Sequence, residues 1–403
     1  MRGLTAAVHE VLDRRLLSAS PAPIAVALSG GGDSLALTLM VADWAKVRGR
    51  SLLVLTVDHG LRAESAAWTR SCAATADRLG ADFQALAWEG DKPATGLPAA
   101  ARSARHRLIA DAARAAGAKV ILMGHTASDR LEAAAMRQAG ASTPSPREWT
   151  PSPTWPQGRD LFLLRPMLSQ TRAEIRAWLA ERGETWIEDP ANEDPRFARA
   201  RARATLTGDE TDTVLSAPVL AGLALATADL AGGLATPRSV LRRAPEAFLA
   251  AACLCAAGTA RPPRGDRLKR LADVLRGERD LTATLAGARI EADQRDVRFL
   301  RDPGRAGLEI LSLAAGQTAV WDGRFEITTD RPIVVQALAG HAASLSPACR
   351  SALQRLPAGA RGGLPFIPGA GSPVLAAIPG LVARPLTLHR LRAACGLTDR
   401  EPA

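Results

Sequence analysis

The sequence predicts an α/β fold: a doubly wound, mostly parallel sheet followed by smaller α and α/β accessory C-terminal domains. Three observations predict it. Short, almost wholly apolar runs at 24–28, 51–57 and 120–123 read as strands buried on both faces. Helix-forming stretches alternate with them, the rhythm of a parallel sheet. Three polar motifs fall just beyond the carboxyl ends of these runs, the rim on which such sheets hold ligands.

Residues 4–17 read as an amphipathic helix with Val8, Val11, Leu12 and Leu16 on one face. The strand at 24–28 then runs into Ser29, Gly30, Gly31, Gly32, Asp33 and Ser34, and a second helix begins in the apolar run 35–40. Three glycines let the backbone turn sharply and approach a ligand closely. The unpaired N–H groups and dipole of the following helix favour an anion. A Walker A loop is excluded, because none of the four lysines (Lys46, Lys92, Lys119, Lys269) follows a glycine. The dinucleotide fingerprint fails as well, since its third glycine falls on Leu35.

The strand at 51–57 ends in Asp58-His59-Gly60-Leu61-Arg62. A helix over 66–78, a strand near 83–88 and a helix over 98–116 carrying Arg102 and Arg105 come next. Beyond the strand at 120–123 lie Gly124 and His125. The helix they open sets Asp129 and Glu132 three residues apart on one face. Such a pair suits Mg²⁺ or a substrate ammonium, or is an ordinary acidic first turn. Residues 141–158 hold five prolines and read as no regular element, either a mobile active-site loop or a disordered insertion. A strand at 161–164 leads into Arg165-Pro166, and a helix over 171–182 turns Ile175, Trp178 and Leu179 inward. Asp189, Asn192 and Asp194 then read as turn and cap residues before Arg196, Arg199 and Arg203, which stack along one helix face. That stripe is either a solvated face or a phosphate-binding one.

With 403 residues the chain has room for a catalytic domain over 1–205, a helical connector and accessory domain over 206–280, and a C-terminal region over 281–403. In the second half a helix over 209–234 and a basic amphipathic helix over 264–276, with Leu268, Leu271, Val274 and Leu275 buried, are expected. Strands at 289–291, 297–300 and 324–328 follow, with a hairpin signal at Trp321-Asp322-Gly323-Arg324. Residues 340–403 receive no role. The net charge of +10 points to a polyanionic partner. The excess is mostly arginine: with only four lysines among 51 basic residues and no tyrosine, coding bias contributes too. Five cysteines without metal spacing read as reduced core residues. His9, Glu10 and Asp13 precede any long apolar run, and the run 214–228 is interrupted by Ser216 and Pro218. A cytoplasmic protein without signal peptide or membrane partner is therefore expected.

The loop Ser29–Ser34 directly after a strand resembles the pyrophosphate loop of the N-type ATP pyrophosphatases. Taken with Val57-Asp58-His59-Gly60-Leu61-Arg62, Arg102 and Arg105, Gly124-His125 with Asp129 and Glu132, Arg165-Pro166, and 189–194 with Arg199 and Arg203, the first half is similar to bacterial tRNA(Ile)-lysidine synthetases. The resemblance implies a Rossmann-like PP-loop ATPase fold. It implies that ATP adenylates the wobble cytidine of the isoleucine tRNA with a CAU anticodon, and that the amine of free L-lysine displaces AMP. Ser29, Gly30, Gly31, Gly32, Asp33 and Ser34 would then bind ATP, with Mg²⁺ at Asp33. Asp129 and Glu132 would bind lysine. Asp33, Asp58, Arg102 and Arg199 form the implied catalytic set, and Arg105, Arg165, Arg196 and Arg203 would face the tRNA. C-terminal domains of the family grip tRNA, and a homodimer is compatible with this reading.

The chain departs from the family pattern at Ser128, where a second acid is usual, at Ala133 in place of Thr, and at His106 in place of Tyr. The Pro-rich loop stands where a Gly-rich stretch is usual. Two other readings remain open at this point. One is another adenylating PP-loop enzyme, a tRNA thiolase or an amide-forming synthetase; yet only Cys72 lies in the first 250 residues, against the cysteine pair thiolation uses. The other is a non-catalytic RNA-binding protein with a relict ATP fold.

Overall fold

The apolar runs become strands of one sheet because both of their faces are covered. The computed structural model describes residues 3–140, 145–188, 226–228, 231–260, 262–370, 372–373 and 378–403. In unit 1, β1 (Ile24–Ala27), β2 (Leu52–Asp58), β3 (Asp82–Ala87), β4 (Val120–Met123), β5 (Trp149–Pro151) and β6 (Phe162–Leu164) form a sheet ordered β3-β2-β1-β4-β6-β5. Pairing is parallel throughout except for the antiparallel edge strand β5. Ile24 and Val26 enter one core with Leu12 of α1 (Leu4–Arg15), Met40 of α2 (Gly32–Arg48), Cys72 of α3 (Ser65–Arg78) and Leu179 of α6 (Arg172–Ala180). Ala25 enters the opposite core with Ile109 and Ala110 of α4 (Leu97–Ala115). Successive strand residues point to opposite faces, so this alternation accounts for the unbroken apolar runs. The strand order reverses between β1 and β4, which opens a crevice at their carboxyl ends.

The Pro-rich segment is more ordered than its composition suggests. Trp149–Pro151 pairs with β6, and the Trp149 ring stacks on Phe162 at 5.0 Å. A proline costs no ladder bond at an outer edge, which is why β5 tolerates Pro151. Residues 141–144 lie outside the described ones.

The chain divides into unit 1, Met1–Ala217 with Thr398–Ala403, and unit 2, Pro218–Leu397. The boundary expected at 280 thus falls inside unit 2, and the last six residues belong to unit 1. Unit 2 holds an antiparallel sheet ordered β7-β8-β11-β10-β9, from β7 (Thr227–Ala228), β8 (Leu234–Pro237), β9 (Leu281–Leu285), β10 (Ala288–Ala292) and β11 (Asp296–Arg301). Helices Glu246–Ala257 and Asp266–Arg276 share a core with it. Two three-stranded sheets complete the unit. The hairpin forms where expected, with Asp322 and Gly323 at φ 50° and 62° between paired Trp321 and Phe325.

Two expectations are corrected. The helix over 209–234 is not helical at its end: Thr227–Ala228 and Leu234 are in strands, and Gly232 at φ 71° turns the chain between them. The remainder of that stretch lies outside the described residues. Val274 is 46% exposed, because Leu268, Leu271 and Leu275 already fill the helix stripe facing the core. Among the described residues no helix is long and apolar enough to cross a membrane.

Candidate active site

The glycine loop is closed by its own serines. Ser29 N donates to Ser34 Oγ at 3.2 Å, and Ser34 Oγ donates to the Gly31 carbonyl at 2.9 Å. Gly30 has φ 84°, and a Cβ there would strike Ile187, whose N–H donates to the Gly30 carbonyl at 3.0 Å. The glycine therefore serves both the turn and the close approach of 186–188. Gly31 is the N-cap of α2 and, among the described residues, no side chain caps that terminus, an arrangement that favours an anion at its first N–H groups. A Cβ on Gly124 would lie 2.9 Å from the Asp33 carbonyl carbon and oxygen and from Ser34 Cα. The first turn of α2 sits directly against the end of β4.

Three carboxylates converge beside this loop. Asp129 lies at the third position of α5 (Ala127–Gln138), where its Oδ2 accepts from Thr126 N at 2.9 Å and completes a capping box. The acidic-first-turn reading of Asp129 is thus correct as far as it goes. Both Asp129 and Glu132 are buried, Glu132 to 1% exposure. Arg172, at the start of α6, joins them to the loop: Nε donates to Asp33 Oδ2 at 3.0 Å, while Nη1 lies 3.5 Å from Glu132 Oε1 and Nη2 4.0 Å from Asp129 Oδ2. Burial raises the Asp33 pKa above the usual carboxylate range against the pull of the Arg172 charge, and the Asp129 charge adds to the rise. Arg172 is not among the residues that the sequence motifs single out. Its signal was Thr171-Arg172-x-Glu174, a capping box that puts a cation in the first turn of a helix, where the dipole disfavours it unless acids lie near.

The opposite wall of the cleft, about 920 Å³ in volume, carries Asp58, His59 and Arg105. Asp58 Oδ1 accepts from Gly60 N at 2.8 Å, and His59 sets its ring edge-on to Trp88 at 5.8 Å. Arg102, one turn earlier on α4, is exposed and does not line the cleft. Arg165, expected to face the tRNA, is 6% exposed and donates to His125 Nδ1 at 3.2 Å and to the Arg147 carbonyl at 2.9 Å. Its bond fixes the neutral His125 with its proton on Nε2. Burial, opposed by the Asp129 charge and aided by Arg165, Arg102 and Arg105, pushes His125 down to about 3. Burial and the same arginines push His106 down to about 2. Asp189, Asn192, Asp194, Arg196, Arg199 and Arg203 lie outside the described residues.

A model of the PP-loop domain matches residues 4–210. The tRNA(Ile)-lysidine synthase of Caulobacter vibrioides is 49% identical over 408 residues, 98% of each chain. The chain belongs to the tRNA(Ile)-lysidine synthase family. Members from Rhizobium meliloti and Hyphomonas neptunium are 34% and 35% identical, over 82% and 67% of this chain and 79% of each of theirs. In this lysidine synthase family member, the matched PP-loop domain carries the loop, the three carboxylates and Arg172 alike.

A divalent cation fits this site at Asp33. Oδ2 takes Arg172, Oδ1 has no hydrogen bond among the described residues, and a carboxylate whose pKa burial has raised gains from a second cation. One carboxylate completed by phosphate oxygens and water is a common donor set for Mg²⁺.

Proposed function

We propose that this cleft modifies tRNA(Ile) with a CAU anticodon, using ATP and free L-lysine to convert its wobble cytidine to lysidine. The triphosphate lies across Ser29–Ser34 and the uncapped start of α2. The cytidine carbonyl oxygen attacks the α-phosphorus and pyrophosphate departs. A lysine amine then attacks the same ring carbon, loses its proton, and AMP leaves with the former carbonyl oxygen. Mg²⁺ held at Asp33 would offset the charge that grows on pyrophosphate. Asp129 and Glu132 replace the hydration of a lysine ammonium, a cation costly to bury unpaired. Asp58 and Arg105 are assigned to the nucleotide side, the exposed Arg102 to the anticodon, and Arg199, Arg196 and Arg203 to the nucleotide or the tRNA. Unit 2 is assigned to tRNA binding, and the protein to the cytoplasm, where charged and uncharged tRNA reside.

The observation that carries the reading is the convergence of Asp33, Asp129 and Glu132 on one guanidinium. It supports the reading because carboxylates suited to an amine stand beside a loop suited to phosphates. Incubation with ATP, Mg²⁺, labelled lysine and the CAU-anticodon tRNA tests it. Label enters the tRNA with one AMP per lysine, and Asp33→Ala abolishes both. Pyrophosphate release without lysine incorporation would instead support another adenylating PP-loop enzyme.

A further inference from the structure

Arg172 is built for more than neutralising acids. Of its three nitrogens only Nε hydrogen-bonds among the described residues, to Asp33. Nη1 and Nη2 stand at 3.5 and 4.0 Å from Glu132 and Asp129, ion-paired without hydrogen bonds. The side chain is 21% exposed and lines the cleft. A planar fork therefore presents four N–H donors beside a buried acidic pair.

Free lysine differs from a simple diamine by its α-carboxylate. In an α-amino acid the ammonium and carboxylate sit on one carbon, roughly 3 Å apart. An α-ammonium held by Asp129 and Glu132 thus brings its carboxylate to whichever cation lies within one residue's reach of both acids. Arg172 is within 4.0 Å of each. We propose that Arg172 is the α-carboxylate receptor for lysine, forming with Asp129 and Glu132 a recognition site for a zwitterionic amino-acid head group. This rests on the lysine reading given above. It places the side-chain amine at the far end of the substrate, free to reach the activated cytidine carbon. It also ties the two halves of the reaction together, since the same guanidinium holds Asp33 of the phosphate loop.

The test compares lysine with lysinamide, whose carboxylate is replaced by a neutral amide, and with 1,5-diaminopentane. Wild-type protein should favour lysine over either by roughly tenfold or more in kcat/KM, the range of a charge-assisted hydrogen bond. In Arg172→Ala that ratio should collapse toward one, because lysine loses its partner and the amide does not. Arg172→Lys, keeping charge without the fork, should fall between. The ratio is internal to each protein, so partial loss of folded material cancels. Equal use of lysine and lysinamide by the wild type, or an undiminished preference in Arg172→Ala, would overturn the assignment. Incorporation of no amine by the wild type would overturn the lysine reading beneath it.

Discussion

Gly124 and His106 show how single buried positions constrain the domain that carries the cleft. At Gly124 the first turn of α2 leaves no room for a methyl group, with Asp33 and Ser34 backbone atoms 2.9 Å from where Cβ would stand. Gly124→Ala should displace the phosphate loop at a cost of about 1–3 kcal/mol, the range for overpacking. It should raise the KM for ATP; a wild-type KM would contradict the close approach. His106 is buried with Nε2 unbonded among the described residues, and stays neutral down to about 2. The unfolded chain takes up that proton near pH 6.5 and the folded chain does not, so stability is full above this pH and falls below it. His106→Phe should remove about 1.4 kcal/mol of the loss between about pH 7.5 and about pH 5.5, as measured by urea unfolding. An unchanged acid slope would contradict the neutral, buried imidazole. The identity of the glycine loop was legible in the sequence, since its residue types state their geometry. The need for Gly124 was not, because the atoms that forbid a side chain there lie 91 positions away on α2.

At the scale of elements, α6 matters through its start. Thr171 caps the helix by accepting from Glu174 N, and Glu174 returns the bond to Thr171 N at 2.7 Å. This reciprocal pair fixes the first turn that carries Arg172. Thr171→Ala should cost about 1 kcal/mol. It should also raise the lysine KM more than the ATP KM, and equal effects would argue that α6 serves only packing. The strands β1, β2 and β4 were readable from apolar runs alone, because a doubly covered strand leaves no other pattern. β5 was not: three residues with a proline form a strand only because Phe162 and Leu164 stand beside them. The end of the expected helix over 209–234 failed for the complementary reason. Its Ala/Leu composition favours helix, while Gly232 and the pairing of Leu234 with Phe299 dictate a strand.

Across the whole molecule, the feature least visible in the sequence is the return of Thr398–Ala403 to unit 1. Glu401, fully enclosed, pairs with Arg50 at 2.8 Å and accepts from Leu17 N at 2.8 Å, partners more than 350 positions distant. No local pattern announces such a contact. Glu401→Gln should leave Arg50 buried without its counter-charge and cost about 3–5 kcal/mol. A loss below about 1 kcal/mol in chemical unfolding would show the pair to be dispensable. The doubly wound architecture, by contrast, followed from the alternation of strands and helices, and the cleft from the three motifs at the strand ends. The reaction proposed for that cleft turns on a division of labour: phosphates at the loop, an amine at the acidic pair. Its most direct test is the KM of Glu132→Ala for each substrate. A rise of roughly tenfold or more for lysine with little change for ATP is the expected result. Equal rises for both, or a rise for ATP alone, would contradict it.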